Sequence, residues 1–466
     1  MRDFRCCFLI SSVFALVFTV GVVAQQAVPI GWQMDAALSS EKAKFFTLLR
    51  ANNIDSDRQG VERFFDNYYF SRWTLPTATG SVRGYSQELL VQDFRDLAGG
   101  ARDYLLNKSF DSLRKMTADQ TLTPTARYNA IYTIGLLNQR DAPNASTPPV
   151  PYGQALPYLA GEFDNKDVTP DYLRLGALHG IYRHAVLGIA DAEMRETTLP
   201  ASLIKAVQDG KPTPNRDADE QEILDGVRTR AIETLGALKS TGQRGEVVDL
   251  LLGVIEDAQE TSEIRCFAAR ILSDLNFQAA NTAGVQINYQ RVGTILLSLG
   301  KAICDIELRR VEEVRNKEKA KAGVRLTPIG GVDADPDFAN LPPEAQQEVT
   351  NAVQRIKTEF FDIMNGIRGP RSTGMPTVGV LSVLPSDDPV AVKLNRMTRA
   401  ISQLFDFLDK GPADRPAPQL VAPMGDGEMP PRGAAAANPN MLKVNLGLIR
   451  DKLQEFSEII DAIIAG

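Results

Sequence analysis

Asp333-x-Asp335-x-Asp337, with Glu344 eleven residues after Asp333, places acids at positions 1, 3, 5 and 12 of a Ca²⁺-binding loop. Alternating carboxylates can converge on one hard cation, and a distal Glu can close its shell. Phe338, however, stands at the sixth position, where such a loop needs Gly for its sharp turn, and Pro336 restricts the chain further. Pro342-Pro343 can instead start a helix with Glu344 in its first turn, where the helix dipole favours an acid. The segment therefore reads as a solvated acidic loop, and Ca²⁺ is the one cofactor that its residues suggest. A second cluster is aromatic: Phe64, Phe65, Tyr68, Tyr69, Phe70 and Trp73, with Arg63 and Arg72 beside them. Phe65, Tyr68, Tyr69 and Trp73 could offer a binding surface, although such a stripe at helical spacing more often packs inward. The two histidines, His179 and His184, lie five apart, off the i, i+4 spacing of a helical metal pair, so packing is the expected role. The chain has no Gly-x-Ser-x-Gly elbow, and no Gly-rich loop follows a strand pattern. No catalytic constellation is expected.

The elements that would position these residues follow from composition and pattern. With 466 residues, 44% of them hydrophobic, the chain can bury a sizeable core in two or three units. Its formal charge of −7 makes it a poor nucleic-acid binder, which needs a basic footprint. Arg2 and Arg5, then the apolar run Phe8–Val23, then Val22-Val23-Ala24, read as an export signal over residues 1–24. The mature chain is expected to be periplasmic or extracellular, with a membrane anchor only if that segment stays uncleaved. Cys266 and Cys304 could pair, or each could serve as a small buried side chain. The run Glu307–Lys321, which interleaves Glu with Arg and Lys, reads as a solvated helix face.

One phrase recurs: Arg, three residues on Ala, four on Leu or Ile, three on another apolar residue. It appears at Arg228-Ala231-Leu235-Leu238 and Arg265-Ala268-Leu272-Leu275, and more faintly at Arg127-Ala130-Ile134-Leu137 and Arg174-Ala177-Ile181-His184. Thr123-Pro124 and Thr169-Pro170 supply helix starts, and the fourth copy opens with Ser262 and Glu263. The four arginines are 47, 54 and 37 residues apart, with Pro/Asn/Asp-rich insertions at Asp141–Pro151 and Asp209–Asp219 making the spacing uneven. Val227–Leu238, with Arg228, Ala231, Leu235 and Gly236, and Ile264–Leu275, with Ser273 in place of the glycine, resemble the second helix of HEAT repeats. That resemblance covers about a third of the chain. It implies stacked helices that offer an extended surface to partners, and it carries over no catalytic residues.

Beyond Asn288, apolar residues step by three and four in four further segments, around Val292–Ile306, Val349–Ile367, Leu394–Leu408 and Leu442–Ile463, the pattern of a helical bundle. The expected fold is all-α: an N-terminal helical cap (25–122), a HEAT-like α-solenoid (123–285), a helical bundle segment (286–410), a Pro/Ala-rich linker (411–439) and a C-terminal amphipathic helix (440–466). No strand is expected. The expected function is that of an exported, non-catalytic scaffold whose repeat surface binds another protein. The alternative is an exported binding protein for a small ligand or envelope polymer.

Overall fold

A computed structural model describes residues 32–75, 77, 80–211, 213, 216–321, 342–369, 379–411 and 444–466. The segment read as an export signal and almost all of the Pro/Ala-rich linker lie outside these residues. The structure is 76% helix, with almost no strand: the protein is all-α. Its helices are α1 (Lys42–Arg50), α2 (Arg58–Phe64), α3 (Val82–Gln87), α4 (Gly99–Ala118), α5 (Pro124–Leu136), α6 (Ala155–Asp164), α7 (Asp171–Leu187) and α8 (Leu199–Asp209), then α9 (Ala218–Leu238), α10 (Glu246–Glu256), α11 (Ser262–Leu272), α12 (Phe277–Thr282), α13 (Tyr289–Lys321), α14 (Pro343–Arg368), α15 (Pro389–Lys410) and α16 (Leu446–Ala465). One detail departs from expectation. The insertion after α5 folds back as a two-stranded antiparallel ribbon, Asn138–Arg140 with Val150–Pro151, too short to show as an apolar alternation. The chain divides into two compact units, the first ending at Gly180 and the second beginning at Ile181. No described helix is long and apolar enough to cross a membrane.

In the first unit the aromatic cluster is core. Phe64, Phe65, Tyr69, Phe70 and Trp73 are buried, and their rings touch in sequence at centroid distances of 5.0 to 6.1 Å. Phe45 and Phe46 of α1 close the cluster from the side. Burying rings of this size stabilises more than leaving them wet, by about 1.5–3 kcal/mol per large apolar side chain. That is why the stripe turns inward, and of the four residues considered as a binding surface only Tyr68 keeps a partly exposed edge.

The recurrent arginine has one structural meaning in all four copies. Arg127 donates Nε–H to the Thr117 carbonyl at 2.9 Å, Arg174 to Phe163 at 3.0 Å, Arg228 to Val207 at 3.0 Å and Arg265 to Ile255 at 2.8 Å. Each acceptor lies in the last turn of the preceding helix, α4, α6, α8 or α10, where carbonyls lack an intrahelical partner. A guanidinium there satisfies the carbonyl and complements the negative end of the helix dipole. The sequence distance to the acceptor, about ten residues in three copies, lengthens to 21 for Arg228 because the insertion after α8 intervenes. The phrase's small residues have an equally local meaning. A Cβ at Gly180 of α7 would lie 2.8 Å from Gly135 Cα of α5, so these two helices cross backbone to backbone. At Gly236 of α9 the close neighbour is a side chain: a Cβ there would lie 2.9 Å from Ile271 Cγ2 of α11.

Of the expected helix starts, Thr123-Pro124 holds and the other two shift: α7 begins at Asp171, after Pro170, and Thr169 Oγ1 donates to Glu162 at 3.0 Å. Thr123 Oγ1 accepts from the Ala126 N–H and Pro124 occupies the first turn. For α11 the capping oxygen belongs to Thr261, one residue before the expected Ser262.

In the second unit α13 packs against α14, α15 and α16, α15 packs against α14 and α16, and α11 lies along α14. Their seams hold the predicted apolar steps, including Val292, Leu299, Val349, Ile356, Leu394, Ile401, Leu453 and Ile460, all buried. The charge run at the end of α13 is not simply a solvated face. Glu307 is fully buried and Arg315 nearly so. Glu307 receives Arg355 on both carboxylate oxygens at 2.9 Å and Arg310 at 2.8 Å, and these bonds repay its burial. Cys266 and Cys304 are free thiols, both buried.

Candidate functional site

Two places stand out on the described surface, one in each unit. The first is an outward aromatic face on α5 and α7 of the first unit. Tyr128 and Tyr132 stack at 6.2 Å with ring planes 13° apart, and His179 meets Tyr132 edge-on at 5.9 Å. Gly176 makes this possible: a Cβ there would stand 2.6 Å from Ile131 Cγ2 and 3.3 Å from the Tyr128 ring. Tyr128, Tyr132 and His179 follow helical spacing on the faces opposite the packed phrase residues Ala130, Ile134 and Ala177, and Tyr132 is 37% exposed. Nearby, Arg127 donates to the Tyr172 hydroxyl at 3.0 Å, which ties the outer face to the arginine that caps α4.

The second is a cavity of about 720 Å³ in the second unit. Its walls come from the C-terminal end of α7, the helical stretch Met194–Thr198 that leads into α8, the loop after α9 and α12. The stretch 194–198 is wound with wide π turns, which push Arg195 and Glu196 out of the regular helical register. The interior side is aliphatic, with Ala185, Ile189, Leu238, Ala280 and Val285. The polar side is mostly self-satisfied. Glu196 accepts from Arg195 Nε at 2.7 Å and from Ser240 Oγ at 2.6 Å, and Arg195 also donates to the Ile189 carbonyl at 3.1 Å. Burial raises the Glu196 pKa, but Ser240 and Arg195 outweigh it and hold the carboxyl below its usual range. Gln243 donates to Thr197 at 2.8 Å. Two donors lie at its solvent-exposed edge: the Lys239 ammonium and the Asn276 side-chain amide form no hydrogen bond or ion pair among the described residues.

No protein-family model, no curated protein and no solved structure matches the chain.

The sequence-predicted residues fall elsewhere. Asp333, Asp335 and Asp337 lie outside the described residues, and Glu344 sits exposed in the first turn of α14, the place where a helix start favours an acid. Among the described residues no group of His, Cys, Asp and Glu is arranged to hold a metal. Tyr69 does join a polar network, though an internal one. Its hydroxyl donates to Asp93, Lys42 pairs with Asp93 and Glu88, and Arg72 stacks on Tyr69 and Tyr85 at 4.6 and 4.4 Å while pairing with Glu88 at 2.8 Å. Burial raises the Asp93 carboxyl, with Tyr69 and Lys42 opposing it. His184 is buried with Nε2 unbonded, and burial pushes its pKa down to about 4, so it stays a neutral packing residue near neutral pH. The residues that sequence reasoning passed over did leave traces: tyrosines at i, i+4 on the outer face of a repeat helix, and a lysine directly after Leu-Gly-Ala-Leu, where a helix usually ends on Gly or Asn.

Proposed function

We propose that this chain is an exported, non-catalytic interaction module whose helical hairpins are arranged as HEAT-like repeats and whose Tyr128–Tyr132–His179 face binds another protein. The repeat reading draws support from the four arginines that make the same bond to the preceding helix, and from the close contacts that glycines allow between α5 and α7 and between α9 and α11. The single observation that carries the functional reading is the stacked tyrosine pair. Two large amphipathic rings held parallel at the surface, with few rotatable bonds left to freeze, are the kind of residue that dominates protein–protein contacts. Neither nucleic acid nor a metal is part of this reading, and a membrane enters it only through an uncleaved residue 1–24 segment.

The test is site-specific photocrosslinking in the native cells. A benzophenone amino acid at Tyr132 is expected to capture one reproducible protein, and the adduct should weaken when Tyr128 and His179 are changed to Ser. The control is the same probe at Val392, an exposed residue of α15. No adduct at position 132, or the same adducts at both positions, would overturn the proposal.

A further inference from the structure

The cavity of the second unit supports an inference independent of the tyrosine face: we propose that it binds a small aliphatic monocarboxylate, its carboxylate held by Lys239 and Asn276. About 720 Å³ lies within the roughly 300–1,000 Å³ typical of small-molecule sites. The apolar wall of alanines with Ile189, Leu238 and Val285 suits an alkyl body and offers no ring on which a sugar or base could stack. The charged side chains of the wall are Arg195, Glu196 and Lys239. Arg195 and Glu196 neutralise one another at 2.7 Å, so one positive charge remains, which suits a monoanion better than a dianion.

A backbone bond makes the two residues neighbours. The Asn276 backbone N–H donates to the Lys239 carbonyl at 3.0 Å, so the residues are neighbours although 37 apart in sequence. Asn276 Oδ1 is engaged by the Ala279 N–H at 3.0 Å, which leaves the amide NH₂ as the group able to donate. Lys239 ends α9 with φ +57°, a left-handed conformation that costs a non-glycine residue about 1 kcal/mol. Gly or Asn would sit there without that cost. A cation at the C-terminal end of a helix also complements the dipole, and Lys239 acts at longer range on the Asp274 carboxylate. The experiment must therefore separate a capping role from a ligand-binding one.

The substitution Lys239→Asn does so, because Asn relieves the backbone strain while removing the charge. Calorimetric titration of the full chain with octanoate, 1-octanol and inorganic phosphate is the assay. Octanoate is expected to bind, octanol to bind more weakly, and phosphate not to compete. Lys239→Asn and Asn276→Asp, which keeps the helix cap but presents a carboxylate, should each weaken octanoate about tenfold, the effect of one charge-assisted hydrogen bond. Ala279→Trp, on an exposed position of the cavity wall, should abolish octanoate and octanol binding without lowering the unfolding temperature. Four results would overturn the proposal. Octanoate could give no heat with the parent chain. Its affinity could survive Lys239→Asn while only thermal stability changes, making the lysine a helix cap alone. It could survive Ala279→Trp, placing binding elsewhere. Phosphate could compete as well as octanoate, making the site one for inorganic anions.

Discussion

Replacing Arg228 by Met should be among the most destabilising single changes in the second unit, whereas the same change at Arg265 should be mild, although the two arginines occupy the same place in the repeated phrase. Arg228 is fully buried and Glu260 nearly so. The guanidinium donates to the Val207 carbonyl at 3.0 Å and to Glu260 Oε2 at 2.6 Å, and its remaining nitrogen pairs with Glu260 Oε1. Met fills similar space but strands a buried carboxylate and a helix-terminal carbonyl, a loss of about 3–5 kcal/mol. Lys211, 3.9 Å from Glu260, can answer part of the charge and places the expectation near the lower end. Arg265 also reaches a carbonyl, at 2.8 Å from Ile255, but has no carboxylate partner among the described residues, so Met there should cost about 1–2 kcal/mol. The double change Arg228→Met with Glu260→Leu should recover most of the loss, since a buried ion pair replaced by apolar side chains of similar volume is often neutral. Urea unfolding followed by helical ellipticity, with hydrogen exchange across α8 and α9, measures all four proteins. Equal losses at the two arginines, or a double variant no better than the single one, would refute the claim that the Glu260 charge sets the cost.

Three further expectations follow from the same helices. Burial, and next to it the charge of Glu307, raise the Glu359 carboxyl to about 7, and burial raises Asp362 to about 6. Both folded values exceed the ordinary 4.5 and 3.8, so their stabilisation is fully present below those ordinary values and is lost progressively as pH rises from them to about 7 for Glu359 and about 6 for Asp362. Unfolding at pH 5 and pH 8 should differ by on the order of 2–3 kcal/mol through Glu359 alone, and Glu359→Gln should flatten that part of the profile. Gly180→Ala should destabilise by about 1–2 kcal/mol despite alanine's better helix propensity, because its Cβ would stand 2.7 Å from Leu159 Cδ1 and 2.8 Å from Gly135 Cα. Gly253→Ala in α10 meets nothing within 4 Å and should stabilise by about 0.5–1 kcal/mol, so thermal melts of the pair give opposite signs. Cys266 and Cys304 should resist a thiol reagent in the folded protein and both react once unfolded without reductant, since both are buried and burial lifts the Cys304 thiol to about 12 and Cys266 well above its ordinary value. A thiol count of zero after unfolding would reveal a disulfide instead.

The residues of the repeated phrase show which kinds of information a sequence carries openly. Ala231, Leu235 and Leu238 declare a helix face because burial works through periodicity, and Arg228 declares a repeat because a carbonyl in the last turn of the preceding helix needs a donor at a fixed place. Both signals are local, and they survive even in the fainter copies at Arg127 and Arg174. The aromatic run from Phe64 to Trp73 was legible as a cluster but ambiguous in direction, because a platform and a core use the same rings at the same spacing. Only the arrival of Phe45 and Phe46 from another helix decides it. Glu307 reads as one more acid in a solvated run until Arg355, 48 residues away, is brought onto it. The cavity was least legible of all. Lys239 and Asn276 belong to no motif, and their meeting depends on a backbone hydrogen bond between two loops, which no periodicity encodes. Packing is written in residue types repeated along one helix, whereas the proposed site is written in which groups from different loops meet after several helices have packed. Lys239 is informative in that second sense: it keeps a left-handed backbone and a charge without a hydrogen-bonded partner among the described residues, at a position where Asn would relieve the strain and remove the charge.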